Sequence, residues 1–128
     1  MMLNHVEIYV NDLKEEHQFW SKILDLLELK ILDTWKTGFS IGTSKSYISF
    51  NQSYTKSSHQ FKRTNQGLNH ICLLSFKDKN WILSELAKRN IKILYRNKVI
   101  SEDTVFIENS WGLKIELLFV NESKKISP

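Results

Sequence analysis

The 128-residue chain has one cysteine, Cys72, which excludes an internal disulfide framework and makes a reducing compartment the expected setting. No apolar run approaches the roughly 18 residues needed to cross a bilayer. The start, Met1-Met2-Leu3-Asn4-His5, lacks the basic and apolar regions of a secretory leader. A concentrated cationic patch is missing too. The formal charge of +4 comes from 18 Lys+Arg against 14 Asp+Glu. Yet the densest basic stretch holds only Lys56, Lys62 and Arg63, and Lys124-Lys125 sits in a polar tail. Nucleic-acid binders gather such charge on one face or helix, so these positives read as solvated surface and nucleic acid is not an expected partner. What is present is an ordinary globular balance: 41% hydrophobic and 25% charged residues, with aromatics at 12% including four Trp. These features predict a soluble, cytoplasmic, single-domain protein.

The chain repeats itself. Leu3-Asn4-His5 returns as Leu68-Asn69-His70, an offset of 65. Leu29-Lys30-Ile31-Leu32 returns as Ile91-Lys92-Ile93-Leu94, an offset of 62, and Tyr47-Ile48-Ser49-Phe50 as Lys114-Ile115-Glu116-Leu117, an offset of 67. Three matches in one order divide the chain into modules at 3–52 and 67–120, with a polar connector at 53–66 and a frayed tail at 121–128.

Each module reads as strand, helix and three strands, an α+β arrangement. Val6, Ile8 and Val10 alternate in a first strand, Leu3–Val10. Asp12 is a helix N-cap with Glu15 three residues on, resembling a capping box. Leu13, Phe19, Trp20, Ile23, Leu24 and Leu27 then form an apolar stripe. Leu29–Asp33, Thr34–Ile41 and Lys45–Asn51 follow as strands, with Gly38 and Gly42 as breaks. In the second module Leu68–Ser75 is a strand, Asp78 an N-cap, and Trp81, Ile82, Leu86 and Ala87 the helical stripe. Ile91–Tyr95, Thr104–Glu108 and Leu113–Val120 are the remaining strands.

Strand parity separates the faces, because alternate side chains point to opposite sides. If Val6, Ile8 and Val10 cover the helix, His5, Glu7 and Tyr9 face away. By the same rule His70 and Cys72 oppose Ile71 and Leu73, while Glu116 opposes Ile115 and Leu117. Ser49 is the repeat equivalent of Glu116, between Tyr47 and Asn51. His17, early in the first helix, and His59, in the connector, fall on the surface.

These residues reach a known pattern. From Leu3 to Phe119 the chain resembles the vicinal oxygen chelate superfamily, the glyoxalase, bleomycin-resistance and dioxygenase group. The resemblance rests on His5 to Leu13 followed by Phe19-Trp20, on Gly67-Leu68-Asn69-His70, and on Asn109-Ser110-Trp111-Gly112 leading to Glu116. Trp35-Lys36-Thr37-Gly38 and Tyr47 to Gln52 are similar to a bacterial branch of it. The resemblance implies two tandem βαβββ modules curling a mixed sheet around a cleft, with a divalent metal on His5, His70 and Glu116. Two imidazoles and one carboxylate suit Zn, Mn, Fe, Co or Ni and do not choose among them. The implied partners are a small-molecule substrate and a second copy of the chain.

Departures from the pattern narrow the chemistry. A glyoxalase-type isomerase uses a second carboxylate where this chain has Ser49, and an unactivated hydroxyl is no general base near neutral pH. A fosfomycin-type thiol transferase needs a cationic, hydroxyl-rich pocket; here Phe106 stands for its Tyr and Glu7 for its Thr, leaving Arg96 and Lys98 as anion contacts. The segment 96–103 diverges from the branch. The expectation is a metal-dependent enzyme acting as Lewis acid on an oxygen-bearing small molecule, of lyase, thiol transferase or dioxygenase type, with Glu7 as proton acceptor. Trp35, Tyr47, Ser49, Asn51, Cys72, Arg96 and Phe106 are the candidate pocket residues, although Trp35 and Tyr47 also suit a core and Cys72 a small buried filler. The alternative is a non-catalytic protein that binds or sequesters an antibiotic-like molecule.

Overall fold

Strict alternation makes the first strand, β1, His5–Val10, bury Ile8 and Val10 while His5, Glu7 and Tyr9 stay exposed. In the computed structural model, which describes residues 1–56, 59–96 and 102–120, the chain forms two compact units, Met1–Gln60 and Phe61–Pro128. No helix among the described residues is long and apolar enough to cross a membrane.

In the first unit β1 leads to helix α1, Leu13–Ser21, and then to β2, Lys30–Trp35, β3, Gly38–Gly42, and β4, Tyr47–Gln52. Asp12 caps α1 by accepting from the Glu15 N–H at 3.0 Å. The strands lie in the order β1-β4-β3-β2, with β1 parallel to β4 and the other pairs antiparallel. The core holds Trp20, Ile23, Leu26, Phe39, Ile41 and Phe50, all at most 2% exposed. Trp20 lies 5.4 Å from Phe50, and Phe50 lies 5.1 Å from Phe39. Truncating such a ring to alanine costs about 3–5 kcal/mol. The Gln52 side chain accepts from the Leu13 N–H at 3.0 Å and donates to the Asn11 carbonyl at 2.7 Å, tying β4 to the start of α1.

The second unit repeats the plan with β5, His70–Ser75, helix α2, Lys79–Lys88, β6, Thr104–Glu108, and β7, Lys114–Phe119. The order is β5-β7-β6, with β5 parallel to β7. The mixed sheets thus have four and three strands. Asp78 caps α2 as Asp12 caps α1, accepting from the Trp81 N–H at 3.0 Å. The connector's end belongs to this unit: Phe61 packs on Trp111 at 5.2 Å, and its N–H donates to the Trp111 carbonyl.

The repeat extends to the helix exits. Glu28 and Asn90, both at φ 57°, are left-handed caps. The next N–H, from Leu29 or Ile91, returns to the carbonyl five residues back, at Leu24 or Leu86. These caps lie 62 apart, three fewer than the His5–His70 offset of 65, and the first unit spends three residues on a 3-10 turn, Asp25–Leu27, before its cap. The apolar stripe from Leu13 to Leu27 is therefore a helix plus this turn, since α1 ends at Ser21.

Three expected elements differ. Thr34–Ile41 is no single strand, because Lys36 and Thr37 make a hairpin turn between β2 and β3. Ile91–Tyr95 is not a strand: the cap consumes Ile91, Tyr95 takes φ 59°, and only Leu94 bridges to Phe106. In the α2 stripe Ile82 and Leu86 are buried, but Trp81, 44% exposed, and Ala87 lie outside it. The tail 121–128, with Lys124-Lys125, lies outside the described residues.

Candidate functional site

Side chains at paired positions of neighbouring strands share a face. In the second unit one such row is Cys72, Glu116 and Phe106, running from β5 through β7 to β6. The row beside it is His70, Lys114 and Glu108. His70 Nε2 meets Glu116 Oε1 at 2.9 Å, and the other carboxylate oxygen accepts from the Thr104 hydroxyl at 2.9 Å. Lys114 Nζ donates to Glu108.

The tautomer of His70 follows from its neighbours. Asn69 donates its amide to the Arg63 carbonyl at 2.8 Å, so its Oδ1 faces His70 Nδ1, 2.7 Å away. Nδ1 is therefore the nitrogen that donates to Asn69, and Nε2 is left facing the Glu116 carboxylate. Phe106 packs edge-on against His70 at 5.4 Å and against Tyr95 at 5.5 Å, with the Arg63 guanidinium 5.6 Å over Tyr95. Tyr95 is a bulky residue in the left-handed region, a conformation that persists only where its surroundings hold it.

The turn entering β7 aims Glu116. Asn109, buried, accepts from the Trp111 and Leu113 N–H groups at 3.1 and 2.9 Å, and Gly112 supplies φ 95°. Cys72 is exposed rather than a buried filler, and it pairs across the strands with Glu116. Desolvation, then the charge of Glu116 and hydrogen bonding to it, push the thiol's pKa up to about 11. A nucleophilic thiol needs the opposite shift.

The first unit carries the equivalent rows with other chemistry. His5 stacks on Tyr47 at 4.7 Å and 6°, and its Nδ1 donates to Asn4 Oδ1 at 2.7 Å, the same Asn–His bond as in the second unit. Glu7, Ser49, Ser40 and Asp33 form a row across all four strands. A cavity of about 360 Å³ is lined by Leu32, Asp33, Trp35, Ser40, Tyr47 and Ser49. Trp35 and Tyr47 line it, half-buried, and are not core residues; Asn51 holds the indole N–H at 3.0 Å.

Arg96, His17 and His59 are exposed, and Lys98 lies outside the described residues with most of segment 96–103. Among the described residues no three His, Cys, Asp or Glu side chains stand together as a metal cluster. The sequence alone does not single out Thr104 or Tyr95, and gives Asn109 only as the start of the turn leading to Glu116. Asn109 two residues before Trp111 and three before Gly112 is an Asx-turn signal that could have been read, whereas the Thr104–Glu116 bond depends on strand register.

No protein-family model matches the chain. The uncharacterized protein YqjT of Bacillus subtilis (strain 168) is 27% identical over 124 residues, covering 91% of this chain and 97% of its own. The crystal structure of a candidate glyoxalase from Bacillus halodurans superposes with a TM-score of 0.81 at 28% identity, covering 93% of this chain and 96% of that one. The fold is that of the vicinal oxygen chelate superfamily. A glyoxylase/bleomycin resistance protein/dioxygenase domain from Frankia shares the chelate fold at a TM-score of 0.69 and 16% identity, covering 93% and 97% of the two chains. Among the described residues the first unit has four strands and the second three.

Proposed function

We propose that the protein is a divalent-metal-dependent enzyme acting on an oxygen-bearing small molecule, with His70, Glu116 and His5 as metal ligands. The observation that carries this reading is the His70–Glu116 pair. Two donors each about 2.1 Å from one ion stand about 3.0 Å apart at right angles and about 3.4 Å apart at tetrahedral angles. Nε2 and Oε1 stand 2.9 Å apart, the span of a direct hydrogen bond and close to that of two ligands at right angles. The outer partners suit a metal as well: Asn69 fixes the imidazole tautomer and Thr104 holds the second carboxylate oxygen, the supports that orient ligands. His5, with the same Asn–His bond, is the third donor in this reading.

When bound, the ion would supply Lewis-acid polarisation of a substrate oxygen. Glu7, exposed on the His5 face, is the proton acceptor in this reading, and Phe106 and Tyr95 shape the apolar side near His70. Ser49 in place of a carboxylate argues against a glyoxalase-type isomerisation, which leaves lyase, thiol-transfer or dioxygenase chemistry. The proposed working unit is a homodimer, the commonest symmetric assembly.

The test is metal content and metal-dependent melting of the purified protein. The expected result is near-stoichiometric Zn, Mn, Fe, Co or Ni, a Tm raised by that metal and lowered by chelator, and loss of both responses in the double variant His5→Ala, His70→Ala. Absence of metal after supplementation, with a Tm indifferent to it, contradicts the reading. The sequestration reading has its own observation, the first unit's cavity. It predicts ligand binding without turnover and without sensitivity to chelator.

A further inference from the structure

The cavity of the first unit has a shape and a charge that the metal reading does not use. On one side of the Glu7–Ser49–Ser40–Asp33 row lie Tyr9, Asn51, Gly38 and Trp35; on the other lie His5, Tyr47, Gly42 and Lys30. Gly38 lets the Trp35 indole, and Gly42 lets Tyr47, lie close against the sheet on either side of Ser40. Trp35 and Tyr47 line the cavity between them, with Asp33 on the same row as the two serines.

Its floor is polar. Ser40 and Ser49 are each 4% exposed and line the cavity, so what is accessible of these two residues opens onto it. A hydroxyl facing such a space takes its hydrogen-bond partner from a ligand or water. Asp33 accepts from the Thr34 N–H at 2.8 Å and makes no ion pair among the described residues. No Lys or Arg lines the cavity, and Lys30, the cation of the outer row, is exposed at the β2 edge.

A carboxylate, two aromatic rings and two hydroxyl acceptors attract a positive charge and repel an anion. The geometry points to a binding site in this trough for a small organic cation, an ammonium group carried on an apolar body. The charge would sit between Asp33 and the faces of Trp35 and Tyr47, and the serines would accept from the ligand's N–H or O–H groups. At about 360 Å³ the cavity is at the small end of the roughly 300–1,000 Å³ typical of small-molecule sites. The site uses none of the three residues assigned to the metal, although His5 stacks on one face of Tyr47 and leaves the other to the ligand.

The test is calorimetric titration of the full-length protein, in excess EDTA, with choline and with its uncharged isostere 3,3-dimethyl-1-butanol. Saturable choline binding is expected, with the isostere at least tenfold weaker. Asp33→Asn keeps an acceptor for the Thr34 N–H, so the fold should melt as native while choline binds at least tenfold more weakly and loses its advantage over the isostere. Tyr47→Leu is expected to weaken choline similarly. Equal affinity for the two ligands, no binding of choline to the native protein, or an Asp33→Asn variant with native affinity would overturn the proposal. Loss of metal binding by the native protein would leave it standing.

Discussion

The two units share a frame and differ in what fills one face of it. Where the first unit has Tyr47, Ser49 and Asn51 along β4, the second has Lys114, Glu116 and Leu118 along β7. In the second unit the long side chains satisfy one another: His70 and Thr104 hold Glu116, Lys114 pairs with Glu108, and Phe106 covers the His70 ring. In the first, two short hydroxyls line a cavity between aromatic walls that two glycines let lie close to the sheet. One register therefore yields a compact polar pair on one sheet and a hollow on the other. A repeat conserves backbone geometry, and the residue volumes set on it decide whether a face fills with paired polar groups or stays open as a cavity.

The largest effect expected from breaking this contrast is chemical. With the Cys72 pKa raised from 9.0 to about 11, its thiolate fraction near pH 8, and hence its alkylation by iodoacetamide, should be about a hundredfold below that of an ordinary thiol. Glu116→Gln removes the neighbouring charge, so alkylation should speed up; an unchanged rate would detach Cys72 from the row. The linkage has a definite sign. A raised folded pKa favours the protonated native state, so this contribution is present below pH 9 and is lost as pH rises through about 11.

Next in size is Gly38→Ala in the first unit. Its Cβ would fall 2.5 Å from the Trp35 indole and against the Phe50 carbonyl. Overpacking of this kind costs about 1–3 kcal/mol, and displacing the indole should also reshape the cavity. Urea melts with Trp fluorescence measure both, and a native-like variant would deny the close approach. Asn109→Ala, which strips two N–H groups of their acceptor before β7, should cost about 1–3 kcal/mol. It should also lower metal affinity by loosening Glu116. Equal metal affinity in the variant would separate the turn from the site.

The smallest effect tests the core of the second unit. The Ser75 hydroxyl is buried and has no hydrogen-bond partner among the described residues. Ser75→Ala removes an unsatisfied polar group, so the protein should be unchanged or more stable by up to about 1 kcal/mol, read from denaturant midpoints. Destabilisation would mean that the hydroxyl has a partner.

How much of this was legible in the sequence depended on range. Local signals served well: Asp12 and Asp78 cap their helices, and the parity of Val6, Ile8 and Val10 put His5 and Glu7 on the polar face. The repeat offset of 67 is matched in the sheets, where His5 pairs with Tyr47 and His70 with Lys114. The lost fourth strand was not legible, because Ile91-Lys92-Ile93-Leu94 has the pattern of a strand. What cancels it is the left-handed cap at Asn90 and the left-handed Tyr95, both set by packing and hydrogen bonding. The family resemblance implied His70 and Glu116 as ligands; their 2.9 Å contact and the Thr104 support depend on the register of three strands, which no local pattern encodes.

The most direct test of the metal reading is a Zn titration of the full-length protein followed by the imidazole nitrogens of its four histidines in long-range ¹H–¹⁵N spectra. The account predicts that Nε2 of His70 and His5 shifts at one equivalent while Nδ1 of each stays protonated against Asn69 and Asn4, and that His17 and His59 do not move. Spectra without change at His70, or with shifts only at His17 or His59, would contradict it.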